Sequence, residues 1–594
     1  MLFSVSLKLF FSIVFSTPFL ALAARLPSSE VLARSPSGKL EDGAEGHREL
    51  GRQIERRATT NAFQVVGNSG VSAQMMFLGT ADKVYILDKV ESNSLQVNGH
   101  SAFATEYTLS SDGVRAMDVK TNTWCAGGSS LGDGRWISVG GNLGVAGYDG
   151  DGGFGVRFLT PCDGGDCEWD DNPANYISTR RWYVTVEPMD DGGVIIIGGS
   201  TYGGYVNDAT RNNPTYEFYP SRGGIKTLNL LVNTLPANYY PLTWLLPSGR
   251  LFIQANLETA ILDPSSGTET RIADVPAAVR TNPAGGAAVL LPLTPANGYT
   301  ATILMCGGQD ISDWTPSAAL VNHPASDSCV RITPDGGGSW SQDATLPEGR
   351  TLGSFVLLPD GKIWLGNGAG TGTAGYGSGS YLIGSSFAKN PIQTPVIYDP
   401  ATRSFNRAGL GTSDVPRLYH SSAILLPDGS VFIAGSNPNN DVQTRLYPTE
   451  YRTEKFFPWY YNLVRPEPIG TIPGQLSYGG NYFTIQLNGS SLQGLTPSVA
   501  ATSSRVIIIR TGFSTHGLNM GQRYLELNST ATPTSNDSIS LFISQVPPNP
   551  ALFAPGSAFL HVVVNGVPSI GRQVMIGNGI GSQPTLPVQR LPGP

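Results

Sequence analysis

Charge is what this chain has least of. Only 14% of its residues are Asp, Glu, Lys or Arg, and the balance is −7. A nucleic-acid partner would show as a basic stripe, so that class is set aside. Long apolar stretches at helical spacing are also scarce, which leaves little for helices to bury. Past the first residues no run is apolar enough to cross a bilayer. Histidine is rare, at six residues, and cysteine rarer, at five. Glycine (72) and proline (43) are plentiful instead, and they cut the chain into short apolar runs. Such punctuation predicts an all-β protein. At 594 residues it is long enough for more than one domain.

The one long apolar stretch lies at the N-terminus. Lys8 precedes Leu9–Leu22, and Ala21-Leu22-Ala23 forms a small-residue cleavage site. Residues 1–23 therefore read as a secretory signal, since Ser12, Ser16, Thr17 and Pro18 interrupt the run too much for a membrane span. Residues 24–57 are charged, end in Arg56-Arg57, and read as a pro-segment or a disordered arm. In an oxidising compartment Cys162 and Cys167 can close a small loop, and Cys306 with Cys329 a larger one. Cys125 is left over, either a buried thiol or a residue held for chemistry.

A weak repeat runs through residues 58–465: apolar strand, tight turn, apolar strand, glycine-rich end. Clear copies are "LGDGRWISVGG", "MDDGGVIIIGG", "LLPSGRLFIQAN", "LLPDGKIWLGNG" and "LLPDGSVFIAGS". "LLPLTPANGYTATILMCGG" and "MMFLGTADKVYILD" are looser, and together they make seven. The period is long enough for four short strands per unit, which predicts a seven-bladed β-propeller of kelch type. Eight residues before the turn residue of each clear copy stand Cys125, Tyr183, Tyr240, Leu352 and His420. Equivalent places around a propeller axis form a ring, so these side chains are expected to face one space. For Tyr240 alone ordinary packing is the better expectation.

From about Pro466 the texture changes to alternating strands such as "SRVIIIRTGF" and "AFLHVVVNGVPS". Residues 466–580 read as an immunoglobulin-like β-sandwich and 581–594 as a Pro-rich tail. Sequons at Asn488, Asn528 and Asn536 are candidate glycosylation sites on exposed turns. His516, in "RTGFSTHGLNMGQR", sits among small turn-formers.

The motifs "TWCAGG", "RRWYVT", "RLYHSS" and "STHGLNMGQR", in this order, resemble those of the secreted copper radical oxidases. The likeness spans about residues 63–575 and leans toward fungal glyoxal oxidase rather than galactose oxidase. It implies one copper ion held by Tyr183, Tyr419, His420 and His516, with a Cys125–Tyr183 thioether as the radical cofactor. It implies Tyr419 as general base and Arg350 as a substrate contact, for which a structural ion pair is the alternative. In galactose oxidase a tryptophan stacks on the cross-linked tyrosine; the matching stretch here carries Thr201 and Tyr202. The expected reaction is oxidation of small aldehydes, as hydrates, to carboxylic acids, with O2 reduced to H2O2. A primary-alcohol oxidase is the runner-up, and a non-catalytic wall- or carbohydrate-binding kelch protein the alternative of another class. A secreted monomer supplying peroxide to extracellular peroxidases is the expected setting.

Overall fold

The computed structural model describes residues 58–147 and 150–593. The signal and pro-segment expected over 1–57 lie outside the described residues. Strands dominate, and the α-helices among the described residues are short: Asn229–Asn233, Ala318–Asn322 and Pro497–Ser503.

Every one of the sequence copies is a hairpin, and each begins an antiparallel sheet. Six sheets have four strands and another has six. The local reason is the turn. In "LGDGRW" the carboxylate of Asp133 accepts the N–H of Arg135 at 3.1 Å. Asp191, Asp360 and Asp428 do the same for the residue two places on. The intervening Gly134 has φ 89°, a left-handed conformation that costs glycine nothing. The Asp-Gly pair thus bends the chain, and the β-branched residues on either side supply the strands. Ile195, Ile196, Ile197, Val431 and Ile433 are all essentially buried, and each such side chain contributes about 1.5–3 kcal/mol by leaving water.

The sheet of Ser421–Leu425, Val431–Gly435 and Arg452–Phe457 is completed from the far end of the chain. Ala62–Asn68 pairs with Arg452–Phe457, Ala62 opposite Phe457 and Asn68 opposite Arg452. Neighbouring sheets are tied where their first strands begin: Tyr183 N–H donates to Cys125 O and Tyr240 N–H to Tyr183 O, both at 3.0 Å. Cys125, Tyr183, Tyr240, Leu352 and His420 all have positive φ, between 48° and 65°. The register counted from the turns therefore picked out one repeated, strained backbone place.

A second repeated feature is arginine. Two or three residues before that place stand Arg181, Arg350 and Arg417, all buried. Arg181 donates to Gly198 O and Thr215 O, Arg417 to Gly435 O and Arg452 O. These guanidiniums satisfy carbonyls that the sheet ladders leave open.

In the C-terminal part, Ser504–Arg510, Arg523–Leu527, Gly556–Val564 and Arg572–Ile576 belong to one sheet, and Phe483–Asn488, Ser529–Ser535 and Ser538–Ile543 to another. The stretch expected as a tail is not free: Thr585–Val588 forms a parallel strand with Tyr478–Gly480. Between Arg510 and Arg523 the chain leaves its sheet as a hairpin, Phe513–Thr515 with Leu518–Met520. This hairpin joins the sheet that begins with Met75–Leu78, Met75 pairing with Thr515 and Met76 with Ser514. Ser514 Oγ is seated on the backbone of Ala423. A segment 500 residues into the chain is thereby fixed beside the strand-starting residues of the repeats.

Candidate metal centre

His516 sits at the tip of that hairpin with φ 50°, followed by Gly517 at φ 81°. Left-handed backbone in non-glycine residues costs on the order of 1–3 kcal/mol each, and here it recurs at Cys125, Tyr183, His420 and His516. The result is one buried cluster. Ligating atoms of Cys125, His420 and His516 all lie within 4.8 Å of one another. Cys125 Sγ is 3.5 Å from His516 Nε2 and 3.9 Å from His420 Nε2. The Tyr183 and Tyr419 hydroxyls hydrogen-bond to each other. Ring centroids of Tyr419 and His420 are 3.7 Å apart, and those of Tyr183 and His516 4.9 Å.

Both imidazoles are held in a defined tautomer. His420 Nδ1 lies 3.0 Å from Asn437 O, a partner that can only accept, so Nδ1 carries the proton and Nε2 a lone pair. The Asn437 side chain donates to both carboxylate oxygens of Glu91, at 3.0 and 2.9 Å. Glu91 is in turn paired with buried Lys89 at 2.5 Å. His516 Nδ1 lies 2.7 Å from Thr515 Oγ1, whose hydroxyl donates to Gln74 O at 3.2 Å. Thr515 Oγ1 then accepts from Nδ1–H, and His516 Nε2 is left with a lone pair as well. Gln74, fully buried, places Nε2 2.7 Å from His420 Nε2 and 3.2 Å from Cys125 Sγ.

Burial sets the protonation states. It pushes His516 down to about 3 and, helped by the neighbouring imidazole, His420 well below the ordinary histidine value. It pushes the Tyr183 and Tyr419 phenols and the Cys125 thiol well above theirs. Two neutral imidazole nitrogens therefore meet two phenol oxygens with no charge among the four. A cation at their centre would accept both nitrogen lone pairs and hold the phenols as phenolates. Two nitrogen and two oxygen donors suit Cu(II), and the residues fit that ion.

Above Tyr183 and Tyr419 opens a cleft of about 190 Å³. Trp182 closes one side, its ring 4.3 Å from Tyr183 at 66°. Tyr202, in the stretch where galactose oxidase carries its stacking tryptophan, is 42% exposed and is not part of the wall. Tyr240 packs within 4.7 Å of Tyr183 and donates to Ala126 O. Arg350 is not brought to the cleft. It donates to Asn367 O at 2.6 Å and Thr394 O at 3.1 Å, reaching 17 residues on as Arg181 does. It fills the repeated structural place, with Glu348 at 3.4 Å. Gln74, Asn437 and Glu91 were missed, since no motif marks them. Trp124 and Trp182 stood inside "TWCAGG" and "RRWYVT", one residue from Cys125 and Tyr183.

Disulfides join Cys162 to Cys167 and Cys306 to Cys329, and Cys125 is a buried free thiol. Asn488, Asn528 and Asn536 are all exposed.

Comparison with known proteins gives this cluster a context. Residues 465–576 match the family described as Galactose oxidase-like, Early set domain. An aldehyde oxidase, GLOX1, of Arabidopsis thaliana is 30% identical over 78% of this chain and 73% of its own length. An aldehyde oxidase, GLOX, of Vitis pseudoreticulata is 29% identical over 86% and 96% respectively. A galactose oxidase of Gibberella zeae is 26% identical over 77% of this chain and 61% of its own. Among solved structures, a fungal alcohol oxidase in complex with copper superposes with TM-score 0.64 at 18% identity, covering 86% of this chain and 98% of that one. That likeness shows a shared fold. Residues 85–460 match the family described as Glyoxal oxidase N-terminus, a stretch holding Cys125, Tyr183, Tyr419 and His420, and the chain belongs to the glyoxal oxidase family.

Proposed function

We propose that this protein is a secreted copper radical oxidase that converts small aldehydes, as their hydrates, to carboxylic acids: RCH(OH)2 + O2 → RCOOH + H2O2. One observation carries the proposal: five residues from four distant stretches of sequence, Cys125, Tyr183, Tyr419-His420 and His516, converge in one buried cluster whose imidazoles both have an unprotonated Nε2. Copper bound there supplies one of the two oxidising equivalents and a Lewis-acidic position for the substrate oxygen. Cys125 Sγ and the Tyr183 ring join as a thioether, losing a pair of hydrogen atoms to O2, and the substituted ring holds the second equivalent as a radical. Tyr419 takes the hydroxyl proton of the hydrate as general base. Tyr183 takes a hydrogen atom from the carbon. O2 then accepts the two electrons and two protons and leaves as H2O2. The aldehyde class is supported by the names of the Arabidopsis and Vitis relatives.

We further infer that the sheets of residues 58–465 are seven blades closed into a ring, for which the pairing of Ala62–Asn68 with Arg452–Phe457 speaks. Residues 466–580 would be an immunoglobulin-like sandwich whose hairpin delivers His516. Export and glycosylation are supported by the leader-like N-terminus, the sequons and the disulfides, and extracellular peroxidases are natural users of the peroxide.

The test is to load purified protein with copper and assay peroxide with glyoxal, methylglyoxal, galactose and benzyl alcohol. Peroxide from the aldehydes is expected, and none from any substrate at one copper per chain would sink the proposal. Cys125→Ser should keep copper but lose most turnover. In the unsubstituted protein, mapping should find the peptides bearing Cys125 and Tyr183 linked.

A further inference from the structure

The cleft over Tyr183 and Tyr419 has walls of an unusual kind. Its other aromatic members are Trp124, Trp182, Tyr205, Tyr239 and Tyr376, and no Asp, Glu, Lys or Arg side chain lines it among the described residues. Two of the hydroxyls that could serve a polar guest are already spent. Tyr205 Oη is bonded to Thr373 Oγ1 at 2.8 Å, and Tyr239 Oη donates to Val206 O at 3.0 Å. Apart from the Tyr376 hydroxyl, what remains is ring face. Trp124 and Tyr376 present nearly parallel rings, 16° apart, with centroids at 6.3 Å.

Tyr376 comes from a hairpin, Ala369–Tyr376 with Ser386–Pro391, inserted between the second and third strands of its sheet. The hairpin is tied down rather than loose. Gly372 N–H donates to His323 O at 3.0 Å and Ala374 N–H to Pro283 O at 2.9 Å. Gly375, at φ 111°, leaves room for the Tyr205 and Phe387 rings that a side chain would crowd. The aromatic wall is therefore preformed, which spares a guest the ordering cost of building it.

Away from the copper position, an anion lying against these walls would shed water with no counter-charge on them to replace it, and a polyol would lose hydrogen bonds with few in return. A flat apolar body would gain ring contacts and lose little. We propose that the substrates for which this site is built are uncharged aldehydes or alcohols carrying an aromatic or conjugated planar group, with Trp124 and Tyr376 as the residues that select them. This rests on the oxidase function proposed above and names the group attached to the reacting carbon.

The experiment uses the copper-loaded full chain and compares kcat/KM for benzaldehyde, furfural, glyoxylate and galactose by peroxide release. The aromatic aldehydes are expected at least about tenfold ahead of glyoxylate and galactose. Trp124→Ser and Tyr376→Ala should each lower the ratio of kcat/KM for benzaldehyde to kcat/KM for glyoxal about fivefold. Because a variant can fail for reasons of folding, the unsubstituted protein is also tested with two inert probes. By calorimetry benzamide should bind copper-free protein at least about tenfold more tightly than benzoate, the metal being left out because a carboxylate would coordinate it. Glyoxylate or galactose ranking with benzaldehyde, or benzoate matching benzamide, would overturn the inference while leaving the oxidase standing. Absence of peroxide from every substrate, with calorimetry still showing benzamide bound to copper-free protein and galactose not, would sink the oxidase reaction and uphold the cleft's selectivity.

Discussion

Glu91 shows how far from the cluster its geometry is decided. It touches no proposed ligand, yet its carboxylate orients Asn437, whose carbonyl fixes the His420 tautomer. Glu91 and Lys89 are both buried, with side-chain exposures of 0% and 2%. Breaking one partner of such a pair leaves an uncompensated charge, a loss of about 3–5 kcal/mol. Glu91→Gln should therefore lower the urea midpoint markedly and broaden the Cu(II) EPR signal as His420 loses its fixed orientation. Pairing it with Lys89→Met should recover most of the stability but not the EPR lineshape. A Glu91→Gln protein as stable as the parent would contradict this account. Nothing local in "DKVESN" announces the role, because the partners Asn437 and Lys89 stand 346 and 2 residues away.

At the level of the element, the repeat was legible because it is written in local chemistry. Asp-Gly turns, β-branched strands and a left-handed residue a set distance upstream each follow from contacts within some twenty residues. The same register that located Cys125, Tyr183 and His420 also explains Arg350, once Arg181 and Arg417 are seen to do the same work in other sheets. Arg350→Lys would lose the forked contact to Asn367 O and Thr394 O, at a cost of about 1.5–3 kcal/mol for hydrogen bonds from a charged group. Thermal melting should drop by several degrees while KM for aldehydes stays within about twofold. A large KM change at unaltered melting temperature would restore the substrate-contact role.

Across the whole molecule, stability should depend on pH through a histidine remote from the cluster. His561 is fully buried in the C-terminal sheet, its Nδ1 3.0 Å from Ser569 O and its Nε2 without a partner. Burial lowers it from 6.5 to about 4. The folded state thus binds its proton less readily than the unfolded chain does. Its contribution is complete above pH 6.5 and is lost as pH falls toward 4, to the extent of about 3 kcal/mol. Plotting urea midpoints against pH, the parent should fall more steeply than His561→Gln between those values. Parallel curves would refute the assignment, and taking the difference removes the effect of His420 and His516.

The sequence by itself determined the elements, their repeat, the pairing of four cysteines and the shared register of Cys125, Tyr183 and His420. Each of these depends on residue types at short or counted spacing, where backbone conformation and turn hydrogen bonds decide. Tertiary structure alone decided that Tyr376 and Trp124 wall the cleft, that Trp182 rather than Tyr202 packs on Tyr183, and that Arg350 holds carbonyls. Those outcomes turn on side chains brought together from distant sheets, where packing and desolvation act on whichever groups the fold happens to bring within a few ångströms.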